Sequence, residues 1–424
     1  MDKSFVLRGN ICYSKNMREL HTVPRGYLVC ENGRSAGVFR ELPGAFKHLP
    51  LEDFGERIII PGLIDLHIHA PQFSYRGLGM DLELLNWLDT YTFPEEAKYK
   101  NIEYARRAYA DFVEDVKKGP NTRAVVFATV HVLATELLMD MLEASGLVTM
   151  VGKVNMDRNA SPDLQEESAE ASARATSEWL ADIAGKYKNT YPIITPRFIP
   201  SCTDELMRAL KTIQAEHGLP IQSHLSENKN EIEWVKELCP GSASYGDAYD
   251  RFGLFGGSAK TIMAHCVWSD EDESDLIEER GVFVAHCPQS NTNICSGIAP
   301  IRRYIEKGLR VGLGSDVAGG SDTSLFKIMR SAIEVSKLRW RLVDRCDTPL
   351  TVGEAFFLGT MGGGEFFGKA GSFDEGYEFD AVVLDDTNLK SPLELSLKDR
   401  VARIVMYADD RNIDAKFVRG TKIL

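Results

Sequence analysis

The sequence predicts an α/β protein: a (β/α)8 TIM barrel with a small β-sandwich formed by both termini. Three observations lead there. From Ile58 onward, eight short apolar runs alternate with amphipathic segments of helical period. Each run closes on a polar residue able to bind a metal or a substrate, and barrel enzymes build their sites at the C-terminal ends of their strands. Residues kept only for packing would be scattered along the runs instead. Before residue 58 and after about 370 the alternation gives way to short β-like pieces separated by Gly, Asp and Asn turns. The barrel is therefore expected over 58–369 and the sandwich over 1–57 and 370–424. An open doubly wound sheet would show fewer strands and a Gly-rich first turn, and none follows the first run.

In chain order, Ser4–Leu7 and Gly26–Cys30 are the first sandwich pieces. Barrel strands are expected near 58–67, 124–131, 148–155, 193–198, 219–224, 260–265, 282–286 and 309–315. They close with His67 and His69, His131, Asn155, Arg197, His224, His265, His286 and Asp316. Between them, Ile102, Ala105, Tyr109, Phe112 and Val116 recur at helical spacing. So do Leu206, Leu210 and Ile213, and again Ile232, Val235 and Leu238. Ser168–Ala175 reads as the start of a helix. Gly312-Leu313-Gly314 and Gly362-Gly363-Gly364 lack a P-loop lysine or a dinucleotide-binding context and are expected as turns. Ala381–Leu384, Val401–Tyr407 and Lys416–Val418 supply the remaining β pieces.

Bulk properties exclude several function classes. With 44% hydrophobic and 26% charged residues over 424 positions, no long stretch is expected to be disordered. A formal charge of −13 argues against a nucleic-acid partner, which would need clustered Lys and Arg. Met1 to Met17 contain no apolar signal core, and no run approaches the roughly 20 apolar residues of a membrane span. The eight cysteines show no CxxC pair, so free thiols in a reducing, cytoplasmic setting are expected.

The chemistry lies at the ends of the runs. In an extended segment His67 and His69 point to one face and can chelate one ion. His224 alone would read as a core histidine, and Glu227 alone as a surface charge. As His224-Leu-Ser-Glu227 after a strand, they place a ligand and a carboxylate around one water, as metal-assisted hydrolysis requires. His265 can be a ligand or a donor to that water, and His286 is the weaker ligand candidate. Asp316 could simply cap a helix, but the small Gly314 and Ser315 before it favour close approach to the barrel mouth. Nitrogen and carboxylate ligands without cysteine suit Zn²⁺ or Fe²⁺ and point to a hydrolase. The HxE…PCxxC pattern of polynucleotide deaminases is absent.

Longer motifs carry a resemblance. They are Pro61-Gly-Leu-Ile-Asp-Leu-His-Ile-His-Ala70, Leu84-Leu-Asn-Trp-Leu-Asp-Thr-Tyr-Thr-Phe-Pro94 and Thr195-Pro-Arg-Phe198. Gln222-Ser-His-Leu-Ser-Glu227, Ala285-His-Cys-Pro-Gln-Ser-Asn291, Gly314-Ser-Asp-Val-Ala-Gly-Gly320 and Asp409-Asp-Arg-Asn412 add to them. With these the chain resembles the amidohydrolase superfamily in its mononuclear, metal-dependent deaminase branch, and within it the guanine deaminase family. The resemblance implies one Zn²⁺ per chain, with Fe²⁺ the alternative, held by His67, His69, His224 and Asp316. It implies Glu227 as proton shuttle, His265 beside the attacking water, and Asp316 acting in catalysis as well as ligation. It places Gln72, Arg197 and Phe198 around the purine, with His224, Glu227 and Asp316 on its reacting side. The implied reaction is hydrolytic deamination of guanine to xanthine and ammonia in purine catabolism or salvage, carried out by a homodimer with no nucleic-acid or membrane partner. Arg197 offers donors only, which suits a carbonyl oxygen over an amine, and Gln72 offers both a donor and an acceptor.

One departure stands out. Where the family reads Gly-Thr-Thr-Thr before the second strand, this chain has Gly119-Pro-Asn-Thr-Arg123. The nearest rival reading is a related deaminase or chlorohydrolase acting on another purine, a pterin or a triazine, with the same ligands and a different pocket. A binuclear cyclic amidase would need a carbamylated lysine at the end of strand four, where Arg197 stands. A non-enzymatic relative would lack the ligands.

Overall fold

The computed structural model describes residues 3–424. Four strands open the chain: β1 (Phe5–Asn16), β2 (Glu19–Glu31), β3 (Arg34–Phe39) and β4 (Leu51–Pro61). The barrel segment follows with β5 (Leu63–His69), β6 (Asn121–Phe127), β7 (Val148–Gly152), β8 (Val154–Asn155), β9 (Thr190–Pro192), β10 (Thr195–Pro196), β11 (Ile221–Leu225), β12 (Thr261–His265), β13 (Phe283–His286) and β14 (Arg310–Leu313). β15 (Ala381–Leu384), β16 (Ile413–Val418) and β17 (Thr421–Lys422) close the chain.

The barrel sheet has the order β11-β12-β13-β14-β5-β6-β7-β9, and every pairing in it is parallel. A parallel bridge between Ile194 and Ile221 joins its two edges, so eight strands form a closed ring. β8 and β10 pair with each other as short extensions of the third and fourth strands. Ile64, Leu66, Val125, Ile193, Ile262, Ala264, Phe283 and Ala285 fill the interior.

The first expected run is divided. Ile58–Pro61 belongs to β4 and pairs antiparallel with β15, and the barrel strand begins only at Leu63. Both termini meet in one seven-stranded sheet of order β17-β16-β15-β4-β1-β2-β3. By hydrogen bonding it is continuous, yet it packs as a sandwich. Phe5 on β1 and Phe417 on β16 have ring centroids 5.5 Å apart although two strands lie between theirs. In a flat sheet those strands would be about 14 Å apart, so the sheet folds over its own apolar face. Leu7, Ile11, Leu28, Phe379, Val383 and Phe417 share the core it encloses.

Two expectations give way here. Val401–Tyr407 is helical, within Leu397–Tyr407. Ser396 and Asp399 form a reciprocal capping box, and Val401, Ile404 and Val405 bury one face at helical spacing. The glycine clusters are not turns. Gly312 lies inside β14, and a Cβ there would stand 2.5 Å from Leu66 Cδ1. Gly363 starts the helix Gly363–Phe367, which packs against Ile64. The clusters let this helix and β5 approach β14 closely.

The unusual Gly119–Arg123 segment ties the barrel to the terminal sheet. Arg123 Nε and Nη2 donate to Asp380 Oδ2 and Glu378 Oε2, both at 2.6 Å. Lys416 Nζ, fully buried on β16, donates to the carbonyls of Gly119 (2.7 Å), Asn121 (3.0 Å) and Val116 (3.4 Å). A basic side chain thus satisfies carbonyls at the C-terminal end of the helix Ile102–Lys118.

Candidate active site

β5 supplies the first pair of groups, and a bulge aims them. Its register against β6 slips between Asp65 and Ile68. Leu66 still points into the barrel core, whereas Ile68 packs outward. The extra residue carries His67 and His69 into the mouth. Behind them, buried Asp65 accepts from His67 N (3.1 Å), Ser315 N (3.0 Å) and Ser315 Oγ (2.5 Å). This locks the end of β5 to the segment carrying Asp316. Burial pushes the Asp65 carboxyl up to about 7 despite those donors.

The expected ligands converge. His69 Nε2 lies 3.2 Å from both His67 Nε2 and His224 Nε2, and Asp316 Oδ1 lies 3.1 Å from His67 Nε2 and 3.5 Å from His69 Nε2. Three imidazole nitrogens and a carboxylate oxygen thus crowd around one point. Burial, with His67 adding to it at the other two, holds His67, His69 and His224 below the usual imidazole range, so their lone pairs are available. Metal–nitrogen bonds of about 2.1 Å at tetrahedral angles put two nitrogens about 3.4 Å apart. The donor set therefore fits one divalent ion. His224 Nδ1 is 2.6 Å from the Arg197 carbonyl oxygen, which fixes the proton on Nδ1 and leaves Nε2 to the centre. Burial opposes charge on Asp316, but His67 and His265 outweigh it and hold the carboxyl below its ordinary value.

Glu227 and His265 stand beside this cluster. His265 Nε2 is 3.4 Å from Glu227 Oε2 and 3.7 Å from Asp316 Oδ2. Burial works against a charged His265, yet Glu227 and Asp316 raise its pKa overall. Its Nδ1 lies 2.8 Å from Asn291 Oδ1. Burial pushes the Glu227 carboxyl up to about 7. Asp316 and Glu231 add to that shift and His265 opposes it. Ser296 Oγ donates to Glu227 Oε1 at 2.9 Å. His265 and Asp316 adopt left-handed backbone angles (φ 76° and 48°), a strain that clusters at functional sites.

A cavity of about 420 Å³, counted to its open mouth, begins at these groups. The segment after β5 covers it with Gln72, Leu84, Trp87 and Leu88, and Arg197, Phe198 and Ile294 complete the wall. Gln72 and Arg197 are joined through a residue that the sequence reading passed over. Glu96 accepts from Arg197 Nη1 (2.5 Å) and from Gln72 Nε2 (2.9 Å).

Three other strand-end residues stay outside. His131 precedes the helix Val132–Ser145 because β6 ends earlier, at Phe127. Asn155 donates to Ser172 and Thr176. His286 is buried without a partner for Nδ1, and burial lowers its pKa to about 3. Sequence reasoning also missed Asp65, Asn291 and Ser296. Asp65 and Asn291 lie inside two of the longer motifs, and Ser296 lies five residues past one of them.

The amidohydrolase family model matches residues 58–423. A guanine deaminase of Dictyostelium discoideum is 41% identical over 379 residues, 88% of this chain and 83% of the relative. One from Escherichia coli is 33% identical over 399 residues, 92% of this chain and 86% of the relative. A crystal structure of guanine deaminase from C. acetobutylicum, with guanine bound in its active site, superimposes with a TM-score of 0.96. It is 44% identical and covers 99% of this chain and 100% of its own.

Proposed function

The chain belongs to the amidohydrolase family, and from that premise we propose that it hydrolyses guanine to xanthine and ammonia. The observation that carries the proposal is the composition of one cavity. Its inner end holds the three-histidine, one-aspartate cluster with Glu227, and its wall holds an arginine and a glutamine that both donate to Glu96. This matches a substrate with a hydrolysable amine at one edge and a carbonyl at the other. The guanine-bound relative supports the same substrate.

In this reading His67, His69, His224 and Asp316 hold one Zn²⁺. Bound there, the ion makes water nucleophilic near neutral pH. Glu227 takes the proton of the attacking water as it adds to C2, and then delivers it to the ring at N3. A carboxyl with its pKa near 7 can do both. His265, between Glu227 and Asp316, holds the water and the collapsing intermediate by hydrogen bonding. Glu227 then carries the second proton from the new C2 hydroxyl to the amine, and the C2–N bond breaks as the C2 carbonyl forms, releasing ammonia. Arg197 meets O6 with donors, Gln72 meets the ring edge, and Phe198 walls the purine. We further propose a cytoplasmic homodimer serving purine catabolism or salvage, with neither nucleic acid nor membrane as partner. Among the described residues no helix is long and apolar enough to cross a membrane, and the described cysteines form no disulfide. The test is ammonia release from guanine, adenine, cytosine, 8-oxoguanine and a pterin by zinc-loaded protein. Guanine should exceed adenine by about 10²-fold or more. Faster deamination of adenine would overturn the proposal.

A further inference from the structure

Glu96 lies in the short helix Phe93–Ala97, on the segment that crosses over the barrel mouth after β5. Its side chain is buried, at 2% exposure, and it is not part of the cavity wall. It stands one layer behind. Oε2 accepts from Arg197 Nη1 at 2.5 Å and Oε1 accepts from Gln72 Nε2 at 2.9 Å. Gln72 Oε1 in turn accepts from Ala318 N at 3.2 Å, two residues beyond Asp316. The Phe93 ring lies 5.2 Å from the Arg197 guanidinium carbon. One carboxylate thus fixes the direction of both polar groups on the wall and ties that wall to the segment bearing Asp316.

A buried guanidinium without a partner is costly and recruits any anion that can reach it. Paired with Glu96 it is neutralised before a ligand arrives, while its remaining N–H groups keep fixed directions. Such a wall favours a neutral acceptor, such as a ring carbonyl, over a carboxylate or phosphate. Gln72 is restrained in the same way: each end of its amide already has a protein partner, which leaves one N–H and one lone pair for a ligand.

We propose that Glu96 is the positioning residue that sets selectivity for the 6-oxo group of the purine, by orienting Arg197 and Gln72 and neutralising the arginine. The inference rests on the guanine deamination reading above. Its test compares guanine with 2-aminopurine, which keeps the C2 amine and carries hydrogen at C6. Both are measured as substrates and as competitive inhibitors, with folding and metal content checked for each variant.

Glu96→Gln keeps the size of the side chain and removes the charge. For guanine, kcat/KM should fall on the order of 10- to 100-fold, while the 2-aminopurine parameters change by less than about 3-fold, so the selectivity ratio collapses. A residue needed only for packing would lower both in parallel, and that outcome overturns the proposal. The double variant Glu96→Met with Arg197→Met leaves no unpaired buried charge, so it keeps the test decisive if Glu96→Gln misfolds. It should lose guanine activity within about 3-fold of Arg197→Met alone, because Glu96 acts mainly through that arginine. Additive losses would refute the coupling. Absence of ammonia from guanine in the wild type would overturn the deamination reading itself. An active wild type with parallel losses in Glu96→Gln would overturn only the role of Glu96.

Discussion

Glu227→Gln should make the protein less active and more stable at once, and the structure gives the size of both effects. Gln keeps the volume of Glu227, and its carbonyl can still accept from Ser296 Oγ, the 2.9 Å partner of Oε1. Its amide would face His265 Nε2, which lies 3.4 Å from Oε2. What disappears is a base used at two proton transfers. One positioned acid–base group contributes about 10²- to 10⁴-fold, so kcat for ammonia release should fall by at least about 10³-fold, or roughly 4 kcal/mol of barrier. Metal content should hold, because Glu227 is not in the proposed ligand set. Stability should move the other way. Folding raises the Glu227 carboxyl from 4.5 to about 7, chiefly through burial. The folded protein therefore binds more protons than the unfolded chain between those values, and stability falls as pH rises through that window. Full ionisation costs at most about 3 kcal/mol. In metal-stripped protein the variant should match wild type below pH 4.5 and exceed it above pH 7, by up to that amount, in urea unfolding. Retention of a tenth of the activity, or a variant less stable than wild type at pH 8, would refute the reasoning.

His67→Ala with His69→Ala should reduce bound divalent metal from about one equivalent per chain to near zero by elemental analysis, since two of the four proposed donors are lost; unchanged content would dismiss the ligand assignment. Lys416→Met should destabilise the fold by about 2–4 kcal/mol in urea unfolding, because the Gly119 and Asn121 carbonyls would be left buried without a donor, while activity per folded molecule stays near wild type.

The residues that were legible in the sequence and those that were not differ in a physical way. His67, His69, His224, His265 and Asp316 close apolar runs, and a run's end is a local property that the barrel turns into a shared location. The rule failed where the strand stopped short. β6 ends at Phe127, so His131 lies four residues beyond and precedes a helix, while Asn155, although it closes β8, turns its side chain to Ser172 and Thr176. Arg197 also lies past its short strand β10, but its long side chain still reaches the cavity. Val401–Tyr407, with two valines and an isoleucine, suggested a strand until the cap at Ser396 fixed a helix.

Glu95 and Glu96 are the sharper case, because the sequence offers no local distinction between them. Glu95 pairs with Lys98 and Tyr104 at the rim, whereas Glu96 turns under the wall to Arg197, which is 101 positions away. Both are buried, and only the path of the crossover segment decides which of the two reaches Arg197. The bulge in β5 works in the same non-local way. Strict alternation would send His67 and His69 to the opposite face from Leu66, yet all three point inward because the strand slips by one residue against β6. The pattern HxH could announce a chelating pair, but a register shift between two strands decides that the pair faces His224 and Asp316. The residue types that meet here were therefore readable in the sequence, and their assembly depended on pairings that spacing does not encode.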